Sequence, residues 1–248
     1  MNRREFFIQT GKILAGSTLV WLVGFKPDLN AAEKAPAYDW EKYLYAFVVD
    51  TTKCIGCGRC VAACKAENNV PGGKYRTWVE RYIITESHKV LVDSPNGAIN
   101  GFENKNIDER IAKAFFVPKL CNQCAKPVCV QVCPVGATYR TKDGVVLVDA
   151  KHCVGCGYCV QSCPYGVRFI NPRTHTADKC TWCYQRITKG LKPACVQACP
   201  REARLFGNLK DPDSRIKQII DRERLGVLKP AEGTEPQVYY LGLDKEVI

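Results

Sequence analysis

Hydrophobic and polar positions change rhythm several times along the chain. Thirteen uncharged, largely apolar residues run from Ile13 to Phe25. That run is shorter than a spanning helix needs and suits the apolar stretch of an export signal. Apolar runs return just before Asp50 and Asp149 and predict two equivalent strands. Residues Trp78 to Ile84 alternate with period two and Lys89 to Val92 follow, predicting further strands before a loop rich in Asn and Gly over 94–107. A hairpin is predicted around Lys142-Asp143-Gly144. Ile216, Ile219 and Ile220 recur at helical spacing, and Ser214 as cap with Gly226 as stop predicts a helix from Arg215 to Leu225. That apolar spacing suits core packing better than a partner groove. The segment GTEPQVYYLGL at 233–243 reads as a loop followed by an extended strand.

Composition changes this picture through one residue type. Sixteen of 248 residues are cysteine. That is too many for an ordinary cytosolic enzyme core, in a chain too long for a typical disulfide miniprotein. With 46% hydrophobic and 25% charged residues, extensive disorder is excluded, and no run supports a multi-span membrane protein. The formal net charge is +11. Taken alone, it suggests an anionic partner such as nucleic acid. If the cysteines hold four iron–sulfur clusters of about −2 each, the loaded chain falls to about +3, and no nucleic-acid partner is expected.

The cysteines form four quartets with none left over. They are Cys54, Cys57, Cys60, Cys64; Cys121, Cys124, Cys129, Cys133; Cys153, Cys156, Cys159, Cys163; and Cys180, Cys183, Cys195, Cys199. The first and third carry the C-x2-C-x2-C-x3-C spacing of bacterial ferredoxins. Glycines 56, 58, 155 and 157 permit the tight turns that let thiolates converge while amide N–H groups approach sulfur. Closely spaced Cys-x-x-Cys steps are poor disulfide geometry, and the run is not a zinc pattern. The three-cysteine spacing of radical-SAM chemistry is missing. Four [4Fe-4S] clusters are therefore expected.

Internal repeats indicate how the quartets pair. CIGCGRCVAAC at 54–64 and CVGCGYCVQSC at 153–163 are copies, while PVCVQVCP at 127–134 and PACVQACP at 193–200 share another ending. In a two-cluster ferredoxin, the fourth cysteine of each run serves the other cluster. The hairpin makes quartets two and three one module and leaves one and four for a second. The expected ligand sets are Cys54, Cys57, Cys60 with Cys199 (cluster 1) and Cys180, Cys183, Cys195 with Cys64 (cluster 2). They continue with Cys121, Cys124, Cys129 with Cys163 (cluster 3) and Cys153, Cys156, Cys159 with Cys133 (cluster 4). Pairing of neighbours, one with two and three with four, is the alternative. The fold expected is α+β, with two pseudo-symmetric bacterial-ferredoxin-like modules built from short strands, short helices and long loops. Residues 38–70 with 175–248 would form the outer module, 119–174 the inner one, and 71–118 an insertion offering docking surface.

Other residues are candidates for a lesser role. Lys53, Lys119, Lys151 and Lys179 stand one or two positions before the quartets, where a cation would raise a cluster's potential, or where each is simply a solvated loop residue. Trp182 would shield a cluster or pack, with packing favoured. His88, His152 and His175 share no metal-ligand spacing and are read as surface residues or neighbours of ligands.

The N-terminus reads as an address. Arg3 and Arg4 followed by Phe6 resemble a twin-arginine export signal, although Asn2 and Ile8 depart from the usual pattern. Small-residue cleavage patterns occur at Ala35-Pro36-Ala37 and near Ala31. Residues 1–37 are thus expected to be a signal segment or a retained anchor, with a short amphipathic helix as the plainer alternative. The export route suits cargo folded around its metal. A periplasmic or extracytoplasmic, membrane-associated location follows.

The four quartets, in this order and spacing, resemble the iron–sulfur subunit of dimethyl-sulfoxide-reductase and polysulfide-reductase complexes. The likeness covers 45–245 and includes FFVPKLCNQC at 115–124, CPVGATYRTKDGVVLVD at 133–149, CPYGVRFINPRT at 163–174 and ADKCTWCYQRITKGLKPAC at 177–195. One departure is Lys65 after Cys64, where the other quartets have Pro134, Pro164 and Pro200. The resemblance implies an electron-transfer subunit between a quinone-reactive integral membrane subunit and a catalytic redox subunit. A molybdopterin-type partner is favoured over a multihaem cytochrome c. Relatives with a tryptophan in place of one cysteine carry a [3Fe-4S] cluster; here no cysteine is missing. The chain shows no nucleophile–base pair, phosphate loop or dinucleotide fingerprint, so it is not expected to be an enzyme by itself. A free exported polyferredoxin is the alternative. The outer module, with its additional surface, is expected to face the catalytic subunit, and the inner module the membrane subunit.

Overall fold

Strand β1 (Tyr45–Asp50) organises the chain. Its sequence YAFVVD is an apolar run ending at an acid, and all six residues are buried. In this computed structural model, which describes residues 38–104 and 106–247, β1 lies inside a four-stranded sheet, between the strands at Arg204–Asn208 and Val238–Leu241, with Leu225–Gly226 at the edge beyond the latter. The twin-arginine-type segment at 1–37 lies outside the described residues. Strand β9 (Arg204–Asn208) pairs antiparallel with β1, and β11 (Val238–Leu241) pairs parallel, with Phe47 opposite both Phe206 and Val238. The sheet thus joins the start of the described chain to its last third. Strand periodicity sends Tyr45, Phe47 and Val49 into the main core and Ala46 and Val48 to the other face, under Ile216.

Helix α6 (Arg215–Arg222) covers that second face with Ile216, Ile219 and Ile220. It ends before the expected Leu225. Glu223 turns extended, and Leu225–Gly226 form β10 against β11, so Gly226 is a strand residue rather than a stop. Ser214 occupies the cap position, but its side chain makes no capping bond.

The segment between the first two quartets folds as a three-stranded antiparallel sheet of β2 (Thr77–Thr85), β3 (Val90–Asp93) and β4 (Ile111–Leu120), order β3-β2-β4. The polar loop after β3 contains a 3-10 turn, Pro95–Ala98, in which Asn96 and Gly97 are left-handed. This loop closes over the first cysteine loop, where a Cβ on Gly58 would lie 1.9 Å from the Ala98 carbonyl oxygen, and β4 covers it too, since a Cβ on Gly56 would lie 2.5 Å from the Phe116 ring.

Short elements complete the α+β fold. Helix α1 (Arg59–Glu67) follows the first quartet's loop. The hairpin β5 (Thr138–Arg140) and β6 (Val146–Val148), flanked by α2 (Val128–Gln131) and α3 (Tyr158–Gln161), lies between quartets two and three. The pair β7 (Phe169–Ile170) and β8 (Ala177–Asp178) leads to α4 (Tyr184–Ile187) and α5 (Ala194–Gln197). Helix α1 packs on α5, and α2 on α3. Among the described residues, no helix is long and apolar enough to cross a membrane.

Candidate iron–sulfur site

The two copied quartets are entered through the same local device. Asp50 accepts from the Thr52 N–H at 3.1 Å, and Asp149 from the Lys151 N–H at 2.8 Å. Each is an Asx-type turn, bent two residues on, that delivers the first cysteine of its loop. Left-handed Gly58 and Gly157 then start α1 and α3. Helix α1 carries Cys60 and Cys64, and α3 carries Cys159 with Cys163 two residues beyond its end, so that each fourth cysteine is set apart from its loop; the packing of α1 on α5 and of α2 on α3 sets which cysteines meet.

All sixteen cysteines are free of disulfides. Cys54, Cys57 and Cys60 line a cavity together with Cys199. Cys121, Cys124 and Cys129 line another with Cys163. Cys180, Cys183 and Cys195 share a third with Cys64. Cys159 is close enough to Cys153, Cys133 and Cys156 for their charges to act on it. These groupings run along the molecule: Cys60 neighbours Cys195, Cys121 neighbours Cys180, and Cys129 and Cys159 both flank Arg168. Cys64, Cys180, Cys183 and Cys195 are all buried, whereas Cys57 and Cys156 are exposed.

The donor set suits metal–sulfur clusters. Burial pushes the Cys54 and Cys195 thiols up to about 11 and those of Cys64 and Cys124 up to about 12, so metal binding must expel their protons. Cys133 goes the other way: the little burial it has opposes ionisation, but N–H groups of Thr138, Val135 and Ala137 outweigh it. Backbone N–H groups of Thr138, Ala177, Trp182 and Ala203 donate to Cys133, Cys153, Cys180 and Cys199 at 3.3–3.4 Å. Among the described residues, no three His, Cys, Asp or Glu side chains gather as tightly as a single metal ion requires.

The four lysines differ from one another. Lys53 is exposed and pairs with Asp50 at 3.2 Å, and Lys151 is exposed. Lys119 is half-buried and pairs with Glu80 at 2.7 Å. Lys179 is buried; its ammonium donates to the carbonyls of Val146 and, at 2.9 Å, Cys180. Trp182 is buried edge-on to Phe206 at 5.5 Å and also lines the Cys64 cavity, so it both packs and shields. His152 bonds Asp149 at 2.7 Å on the surface, while His88 and His175 occupy left-handed turn positions.

Sequence reasoning missed Gln123, Arg168 and Arg204. Buried Gln123 donates to the Cys180 carbonyl at 2.8 Å and accepts from the Val146 N–H at 2.7 Å, stitching quartet four to the β5–β6 hairpin. Arg168 and Arg204 are buried among the cysteines, and no carboxylate forms an ion pair with either among the described residues. Burial opposes the Arg204 charge, yet the thiolates of Cys60, Cys195 and Cys54 outweigh it and hold the guanidinium ionised. Buried cations without carboxylates call for an anionic occupant, which thiolate-bound clusters supply.

Two matches to the 4Fe-4S dicluster domain cover 53–137 and 112–209. A tetrathionate reductase subunit of Salmonella typhimurium is 43% identical over 98% of this chain and 89% of its own length. A tetrathionate reductase subunit of Archaeoglobus fulgidus is 49% identical over 80% of this chain and 82% of its own. The arsenate respiratory reductase iron-sulfur subunit of a Shewanella species is 33% identical over 78% of this chain and 94% of its own.

Proposed function

Because the chain belongs to the family of iron–sulfur subunits of molybdopterin- and polysulfide-reductase-type complexes, we propose that it relays electrons between two protein partners held at opposite ends of its row of cysteine groups. It is an electron-transfer component of a reductase complex, with four [4Fe-4S] clusters as its cofactors, and not a catalytic subunit. The clusters, when bound, each accept and release one electron at a time. The proposed ligands are the four sets whose cysteines stand together: Cys54, Cys57, Cys60, Cys199; Cys180, Cys183, Cys195, Cys64; Cys121, Cys124, Cys129, Cys163; and Cys153, Cys156, Cys159, Cys133.

The observation that carries this reading is the gradient of exposure. The cysteines of the second set are all buried, and exposed Cys57 and Cys156 belong to the first and fourth. Exposed Ile55 flanks Cys57, and exposed Val154 and Tyr158 flank Cys156, giving each end an apolar rim. The chain's own residues exclude water from the middle and leave the ends open to partners.

The partners proposed are a quinone-reactive membrane subunit and a molybdopterin-type catalytic subunit on the extracytoplasmic face, reached through the twin-arginine segment. The names of the relatives favour tetrathionate as the terminal acceptor. The outer end, at Cys57, is assigned to the catalytic subunit. Gentle anaerobic solubilisation of native membranes tests the reading. The chain should migrate with a larger redox subunit and a membrane subunit, be reduced by a quinol, and be reoxidised when tetrathionate is added. A chain that migrates alone, fully loaded, would be a free exported polyferredoxin instead.

A further inference from the structure

Arg168 and Arg204 occupy one offset, five residues beyond the last cysteine of quartets three and four. Both are buried, 4% and 1% exposed. Each is anchored by Nη2 to a threonine that begins a distant strand: Arg168 donates to Thr138 Oγ1 of β5 at 3.1 Å, and Arg204 to Thr77 Oγ1 of β2 at 2.9 Å. Beyond these bonds and a hydrogen bond from Arg204 to the Cys195 sulfur, part of each guanidinium stays unspent. Nε and Nη1 of Arg168 and Nη1 of Arg204 are buried without a hydrogen-bond partner. Arg204 lines the Cys54 cavity, and its charge acts on Cys54 and Cys60 of one set and on Cys64 and Cys195 of another. Arg168 lines the Cys121 cavity and acts on Cys129 of the third set and Cys159 of the fourth.

Other cations nearby are already committed. Arg76 also acts on Cys64 but is paired with Asp178 at 2.7 Å. Lys179 acts on Cys129 while its ammonium bonds two carbonyls. We propose that Arg204 and Arg168 are equivalent potential-setting residues, each a fixed buried cation shared by the two cluster sites of one module, so that the four clusters are tuned as two pairs. The physical basis is simple. A reduced cluster carries one more negative charge than an oxidised one, and an unneutralised cation in a water-excluded interior favours that extra charge at both neighbouring sites. Both roles rest on the ligand sets proposed above.

The test is an anaerobic redox titration of the complete, loaded chain, followed by electron paramagnetic resonance, with iron content measured on each sample. In Arg204→Gln, the reduced-to-oxidised ratio of two clusters at fixed ambient potential should fall at least ten-fold, about 59 mV for a one-electron couple. The other two should not move. Arg168→Gln should shift the complementary pair, and Arg→Lys at either position should restore most of the potential. Signals are assigned to sets with Cys199→Ser and Cys163→Ser. A shift of one cluster alone, of all four, or of none in protein with full iron overturns the proposal. If a Gln variant loses iron, Thr77→Asp and Thr138→Asp decide instead. A carboxylate there neutralises the guanidinium in place and must lower the same pair, and an unmoved pair refutes the idea. Wrong ligand sets would show differently, as serine variants that damage other signals while the arginine effects persist.

Discussion

The repeated loops at 54–64 and 153–163 offer a controlled comparison at Gly58 and Gly157. Both glycines precede a helix with positive φ, +69° and +82°. Alanine at either position meets the left-handed penalty of about 1–2 kcal/mol. They differ in what covers them. At Gly58 the new Cβ would lie 1.9 Å from the Ala98 carbonyl oxygen and 2.7 Å from that of Ile99, whereas at Gly157 no atom lies within 4 Å. The covering backbone has little room to retreat, because Ala98 is fully buried and Gly97 abuts Tyr75. Overpacking of this kind costs about 1–3 kcal/mol more. Gly58→Ala should therefore be the more damaging of the two by about 1–3 kcal/mol, a factor of about 5 to 150 in an unfolding-limited rate. The assay is bleaching of the clusters' visible absorbance in denaturant, without oxygen, at matched protein concentration. Equal rates, or faster loss from Gly157→Ala, would refute the claim that the 94–107 loop clamps the first cysteine loop.

Other outcomes are equally specific. Cys199→Ser should convert or destroy the cluster of Cys54, Cys57 and Cys60, while Cys163→Ser should strike that of Cys121, Cys124 and Cys129, as read by resonance spectra. Lys179→Met should destabilise the chain by about 1–3 kcal/mol in denaturant melts, because the Val146 carbonyl loses the ammonium while the Cys180 carbonyl keeps Gln123 as its donor. The hydrogen bond from Lys113 holds the Asp244 carboxyl below its ordinary value of 3.8. Its contribution is complete above that value and disappears as pH falls through the lower folded one, so Asp244→Asn should flatten the acid limb of a stability–pH curve. Replacing Arg3 and Arg4 together by Lys should leave loaded protein in the cytoplasm on cell fractionation.

Much of the site was legible because metal ligation constrains sequence locally. Cysteine spacing and the repeats at 54–64 and 153–163 identified the two loops, and the strands before Asp50 and Asp149 were legible, whereas the turns these two carboxylates build came only from the fold. What escaped notice depends on contacts between distant segments. Four lysines look alike beside their quartets, yet only the fold separates solvated Lys53 and Lys151 from half-buried Lys119 and buried Lys179. Strand β4 was not foreseen: its exposed start, IAKA, lacks a clear alternation, and its partner β2 lies about thirty residues earlier, at the far side of a polar loop. The helix at Arg215 was overextended because Gly226 reads as a helix stop, whereas Leu225 and Gly226 pair with Leu241 and Tyr240 as a strand. Arg168 and Arg204 left a signal that went unused, since both follow a Cys-Pro by the same interval. Charge alone gave no reason to expect them buried.

In the proposed ligand scheme, quartets one and four exchange ligands around one pair of clusters, and quartets two and three around another. Anomalous diffraction at the iron edge from crystals of the loaded, full-length chain decides whether they do. Four iron sites are expected: between Cys54, Cys57, Cys60 and Cys199; between Cys64, Cys180, Cys183 and Cys195; between Cys121, Cys124, Cys129 and Cys163; and between Cys133, Cys153, Cys156 and Cys159. Iron density placing Cys199 on the same cluster as Cys195, or Cys163 on the same cluster as Cys159, would contradict the exchange.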